Sequence, residues 1–93
     1  MRYDARTDET QPGIVQAARN FGASVTLLYR LGHNVPDILV GYNGIDQQIE
    51  IKTISGELTE GQREYIDDWQ GRPVKVVRSV HEMLSLLLTM GNK

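Results

Sequence analysis

The chain has 93 residues, with 10 Lys and Arg against 12 Asp and Glu for a net charge of −2, and 40% of it is apolar; this places it among ordinary globular chains and limits it to one domain, residues 1–93. It contains no cysteine, which excludes a disulfide-stapled scaffold and a thiolate metal site and suits a reducing compartment. The first residues form no apolar targeting segment and no run approaches the ~18 apolar residues of a membrane span, so a soluble, cytoplasmic protein with no membrane partner is expected.

Ile14, Ala17, Ala18 and Phe21 recur at helical spacing after Thr10-Gln11-Pro12, and Gly22 follows as a stop, which predicts a first helix over residues 11–21. Val25, Leu27 and Tyr29 alternate as a strand. Ile38, Val40 and Tyr42 alternate as the next, Asn43-Gly44 is a strong two-residue hairpin signal, and Ile45, Ile49 and Ile51 continue on the return strand. Thr59 with Gln62 three residues on resembles a capping box, opening a helix with Tyr65, Ile66 and Trp69 that ends near Gly71. Pro73–Val77 reads as a short strand. Ser79 with Glu82 forms a further capping box before a helix whose Val80, Met83, Leu84, Leu87 and Leu88 face a core. Trp69 and this Leu-rich helix are read as core rather than as base-stacking elements.

The order α-β-β-β-α-β-α implies an α/β fold, a mixed central sheet flanked by helices on both faces. On the last helix, Leu86 and Met90 add a second apolar line at i, i+4. A chain this short buries only about 60–65% of its unfolded surface, so that line predicts a homodimer in which this helix contributes to the interface.

Charge is uneven, with eight acids and two bases in residues 36–70. A two-residue turn at Asn43-Gly44 pairs Tyr42 with Ile45 and brings Asp37 directly opposite Glu50. Opposed residues have Cβ atoms about 4.5–5.5 Å apart, and like charges there destabilise the pair. Period-two alternation adds Lys52 to the same face and sends the isoleucines to the other. Two carboxylates and an amine suit divalent-metal phosphodiester chemistry, in which a hard cation is held by one or two carboxylates. On spacing alone, the plainer alternative is a Glu50–Lys52 ion pair with Asp37 capping a turn after Pro36.

Pro36-Asp37 followed by Glu50-Ile51-Lys52 resembles the PD-(D/E)XK nuclease signature. Asp8 to Ala23, Pro36 to Gly41, Ile49 to Lys52, Leu58 to Gln62 and Val76 to Ser79 together resemble the small stand-alone VRR-NUC nucleases of phages, over nearly the whole chain. The resemblance implies a restriction-endonuclease-like core and a Mg²⁺-dependent DNA endonuclease, with Mn²⁺ able to substitute, structure-selective for branched, junction or flap DNA, and acting in the host cytoplasm if phage-encoded. It further implies that Asp37 and Glu50 bind metal, that the Ile51 carbonyl completes the shell, that Lys52 serves the nucleophile, and that Gln62 contacts the attacking water or a phosphate; as a capping partner of Thr59, Gln62 has an equal structural claim. Relatives often place a glutamate on the first helix, where this chain has Gly13. Glu9 or Gln11 could substitute, and the alternative is a catalytically degenerate DNA-binding module. Arg30, His33, Arg72, Lys75 and Arg78 are candidates for holding DNA phosphates.

Overall fold

The computed structural model describes residues 3–91, with side-chain surroundings from Gln11 onward. Three helices and a four-stranded mixed sheet follow one another as α1 (Tyr3–Phe21), β1 (Ser24–Leu27), β2 (Ile38–Tyr42), β3 (Ile45–Ile51), α2 (Glu60–Asp68), β4 (Lys75–Val77) and α3 (Val80–Thr89). The strands lie in the order β1-β2-β3-β4, antiparallel except that β3 and β4 run parallel.

The hairpin forms as its residues dictate. Tyr42 pairs with Ile45, and Asn43 and Gly44 both take positive φ, 52° and 78°, the conformation a twisted two-residue turn requires. Period-two alternation then buries Ile38 and Val40 with Ile49 and Ile51 on one face. Ile14, Val15 and Ala18 of α1 and Met83 and Leu87 of α3 close over them. α2 covers the other face, where the Tyr65 hydroxyl donates to the Gln48 side chain at 2.7 Å.

Several boundaries differ from the sequence expectation. Pro12 lies inside α1 rather than at its start; a proline removes one helical hydrogen bond but does not oblige the helix to end. Tyr29 is not in a strand. The Leu28 amide donates to the Asp37 carbonyl at 2.7 Å and the Leu31 amide to the Leu28 carbonyl at 2.9 Å, so the chain leaves β1 into a 3₁₀ turn at Tyr29–Leu31. α2 stops at Asp68 because Trp69 is already extended (φ −66°, ψ 123°), and β4 begins at Lys75 rather than Pro73. At α3 only half of the expected capping box forms: the Ser79 hydroxyl accepts from the Glu82 amide, but the Glu82 carboxylate accepts from the Arg78 amide instead of that of Ser79.

The apolar lines of the last helix also need correction. Met90 is 0% exposed and Leu86 is packed against the core, so they are no free second line. Met90 stands three residues past Leu87 and seven past Met83, on the same buried line, and it stays inward although α3 ends at Thr89 and Met90 is extended. The Asn43 amide then donates to the Met90 carbonyl at 3.1 Å, tying the helix end to the hairpin turn. Val80 and Leu88 are instead the exposed residues, Leu88 at 63%. Trp69, expected in the core, is 43% exposed. Among the described residues, no helix is long and apolar enough to cross a membrane.

Candidate active site

One end of the sheet collects the end of β1, the start of β2 and the ends of β3 and β4, since Leu27 pairs with Ile38, Ile38 with Ile49, and Ile51 with Val77. Asp37 enters β2 at this end. Its carboxylate accepts from the Ile51 amide at 2.8 Å, in the place where a main-chain acceptor of β2 would stand had the ladder continued. Carried two places beyond Ile38 and Ile49, the register sets Pro36 opposite Ile51. Pro36 has no N–H to offer, so the Ile51 carbonyl has no ladder donor on the Asp37 side.

Glu50 is held tightly. It is 4% exposed, and its Oε2 accepts from the Gln62 side-chain amide at 3.1 Å with the Lys52 amine 3.9 Å away. Its pKa is pushed up from 4.5 to about 7. Burial is the largest cause, because it penalises the charged form; the neighbouring Asp37 carboxylate adds repulsion and a hydrogen bond to the protonated form, and Lys52 offsets only part of this. A buried Glu50 beside a second carboxylate leaves a strongly negative place once its own proton departs.

Gln62 forms the cap, and its side chain also reaches a neighbour in the site. Its side-chain Oε1 accepts from the Thr59 amide at 2.9 Å, and its main-chain amide donates to the Thr59 hydroxyl at 3.1 Å, a complete capping box. The side-chain nitrogen is thereby aimed at Glu50. A cap that fixes the first turn of α2 also fixes the orientation of the buried carboxylate.

The donor set suits a hard divalent cation. It comprises the carboxylates of Asp37 and Glu50 and the unladdered Ile51 carbonyl, all oxygen, and Mg²⁺ is commonly held by so few protein ligands with water completing the shell. Among the described residues no group of three or more His, Asp or Glu side chains gathers to hold a metal, so two side chains and one carbonyl are what those residues offer. Gly13 is exposed, with nothing within 4 Å of the place a Cβ would occupy; α1 puts no carboxylate there. The Gln11 side-chain nitrogen is buried without a hydrogen-bond partner among the described residues, and the Glu9 side chain lies outside the described ones.

The basic candidates disperse. Arg30 and His33 are exposed on the segment leading to Pro36-Asp37, with His33 at φ 56°. Arg78 donates to the Thr53 carbonyl at 2.8 Å and to that of Gly56, clamping the turn that follows Lys52. Lys75 pairs with Ile49 and shares the parity of Val77, on the face opposite Glu50. Arg72 lies before β4, where its Nε donates to Gln47 at 2.8 Å.

Sequence reasoning passed over Gln47. This side chain is 1% exposed on the isoleucine face and donates to the carbonyls of Pro73 and Gln48 at 2.6 and 3.0 Å while accepting from Arg72. A polar residue at an inward strand position demands such partners, and that was the available signal. No family model matches the chain, and no curated protein or solved structure matches it either.

Proposed function

We propose that this chain is a single restriction-endonuclease-like domain of the VRR-NUC kind, a Mg²⁺-dependent endonuclease that hydrolyses phosphodiester bonds in branched, junction or flap DNA. The supporting observation is the convergence of Asp37, Glu50, Lys52 and Gln62 at one sheet end. A bound divalent cation, Mg²⁺ or Mn²⁺, supplies Lewis-acid stabilisation of charge at a phosphoryl oxygen. Asp37 and Glu50 hold it, with the Ile51 carbonyl beside them. The Lys52 amine, held by Glu50 and partly exposed, orients the attacking water and moves its proton. The Gln62 amide keeps Glu50 Oε2 in place. Arg30 and His33, on the approach to Asp37, hold DNA phosphates without reading sequence. The chain acts in the cytoplasm, and a homodimer forms through the exposed line of Val80 and Leu88 on α3, with Leu84 between them.

Gly13 favours a second reading, a module that binds branched DNA without cutting it. Incubation of the purified protein with junction, flap, single-stranded and duplex DNA, in Mg²⁺, Mn²⁺ or chelator, separates the two. Metal-dependent cleavage biased toward branched substrates is expected; binding without cleavage in either metal establishes the second reading. Lys52→Ala should lower turnover more than metal affinity, because the amine serves water and not the cation. Equal loss of both would move Lys52 into a structural role.

A further inference from the structure

The outer face of the hairpin carries a groove of about 650 Å³ between the 3₁₀ turn and α2, within the range of small-ligand sites. Leu28, Leu31 and Leu39 line one wall, and Tyr65 and Trp69 the other. The two aromatic rings stack at 5.6 Å with an interplanar angle of 13°. Gly71 leaves the indole room, since a Cβ there would come within 2.8 Å of its nitrogen. A large aromatic that is 43% exposed and backed by a parallel ring is a flat, preorganised platform.

Arg72 stands at the groove's rim, also lining it, and it is positioned with care. The buried Gln47 accepts from its Nε and is itself fixed by two carbonyls. One edge of the guanidinium is thus spent on orientation, leaving its terminal nitrogens for an anion. Asp46 and Gln48 also line the groove; a carboxylate and an amide oxygen there favour hydrogen-bond donors and place any phosphate at the Arg72 end.

The groove lies beside the candidate active site. Gln48 and Glu50 are two residues apart on one strand face, about 7 Å, and Gln62 and Tyr65, three apart on α2, contact Glu50 and Gln48 respectively. A flat apolar platform, one oriented guanidinium and polar acceptors match a single nucleotide better than a duplex, whose bases are stacked and inaccessible.

We propose that this groove takes an unpaired nucleotide of the DNA substrate, its base against Trp69 and its phosphate on Arg72. The inference rests on the DNA-cleaving reading of the adjacent site and narrows its substrate to DNA with a single-stranded element. Trp69 is the only tryptophan, so its fluorescence reports the groove directly. With chelator present and salt fixed, a short oligo-dT should quench the emission, and an abasic oligonucleotide of equal charge should do so far less. Trp69→Leu and Arg72→Met should each weaken oligo-dT binding, read by anisotropy, the former by about fivefold to a hundredfold. Equal binding of the abasic strand, or an unaltered Trp69 spectrum, overturns the groove assignment even if Mg²⁺-dependent cleavage is observed. Quenching without any cleavage leaves the groove standing and overturns the nuclease reading.

Discussion

Glu50→Gln and Asp37→Asn are each expected to reduce metal-dependent DNA cleavage by about 10³-fold or more, the loss of several kcal/mol of charge stabilisation at the reacting phosphate. These amide substitutions are chosen because they preserve the local hydrogen bonds. In Asp37→Asn the new side chain would still offer an oxygen to the Ile51 amide, which Asp37 now holds at 2.8 Å, and in Glu50→Gln the new amide oxygen would still accept from Gln62. Alanine at position 37 would orphan the Ile51 amide at a cost of about 1–3 kcal/mol and mix a folding defect with a catalytic one. Single-turnover cleavage of a labelled junction, alongside thermal unfolding, separates the two effects. Wild-type cleavage rates in both variants would show that the chemistry lies elsewhere.

The second large effect is on stability, and its sign follows from Glu50. A pKa raised from 4.5 to about 7 means that the folded chain binds this proton more tightly than the unfolded one. The stabilising contribution is complete below pH 4.5 and is lost as pH rises through 7. The difference between the limits is about 3 kcal/mol, a large share of the stability of a domain this size. Metal-free protein should therefore unfold more readily at pH 8 than at pH 5, beyond what its other groups contribute. Glu50→Gln should remove that component and melt higher than the wild type at pH 8. Mg²⁺ should restore the wild type at pH 8, because binding only the folded state stabilises it, and should leave Glu50→Gln little changed. Denaturant unfolding of both proteins across pH 4.5–8, with and without Mg²⁺, reads all three expectations; parallel curves would mean that Glu50 ionises freely.

The hairpin and its opposed carboxylates were legible because a two-residue turn leaves only one register, and a one-residue slip would have exposed every isoleucine. Gln62 was legible as a cap; its contact to Glu50 was not foreseen, and the two are compatible because an amide has separate acceptor and donor ends. What escaped was set by tertiary contacts. Met90 was set in line with Leu86, yet it also stands three residues past Leu87 and seven past Met83, the buried line, and the Asn43 side chain ties its carbonyl to the hairpin turn. Tyr29 fits an alternating strand, but the register would set it opposite Pro36, which has no N–H, and the Leu28 carbonyl is taken by the Leu31 amide instead. Trp69 was read as core because it continues the stripe of Tyr65 and Ile66; it sits past the end of α2, where the period no longer decides which way a side chain faces. Arg78 gives no local sign that its guanidinium reaches back across 22 and 25 residues to the turn after Lys52.

Titration with Mn²⁺, followed by the paramagnetic broadening it causes in carboxyl and carbonyl NMR signals, tests most directly whether Asp37 and Glu50 form a metal centre. The signals of Asp37, Glu50 and the Ile51 carbonyl should broaden first, at substoichiometric Mn²⁺, with excess Mg²⁺ reversing the effect and Glu50→Gln weakening it. Broadening that begins instead at the exposed acids of α2, Asp67 and Asp68, or that is spread evenly over the acidic residues, would contradict a metal centre at the end of the sheet.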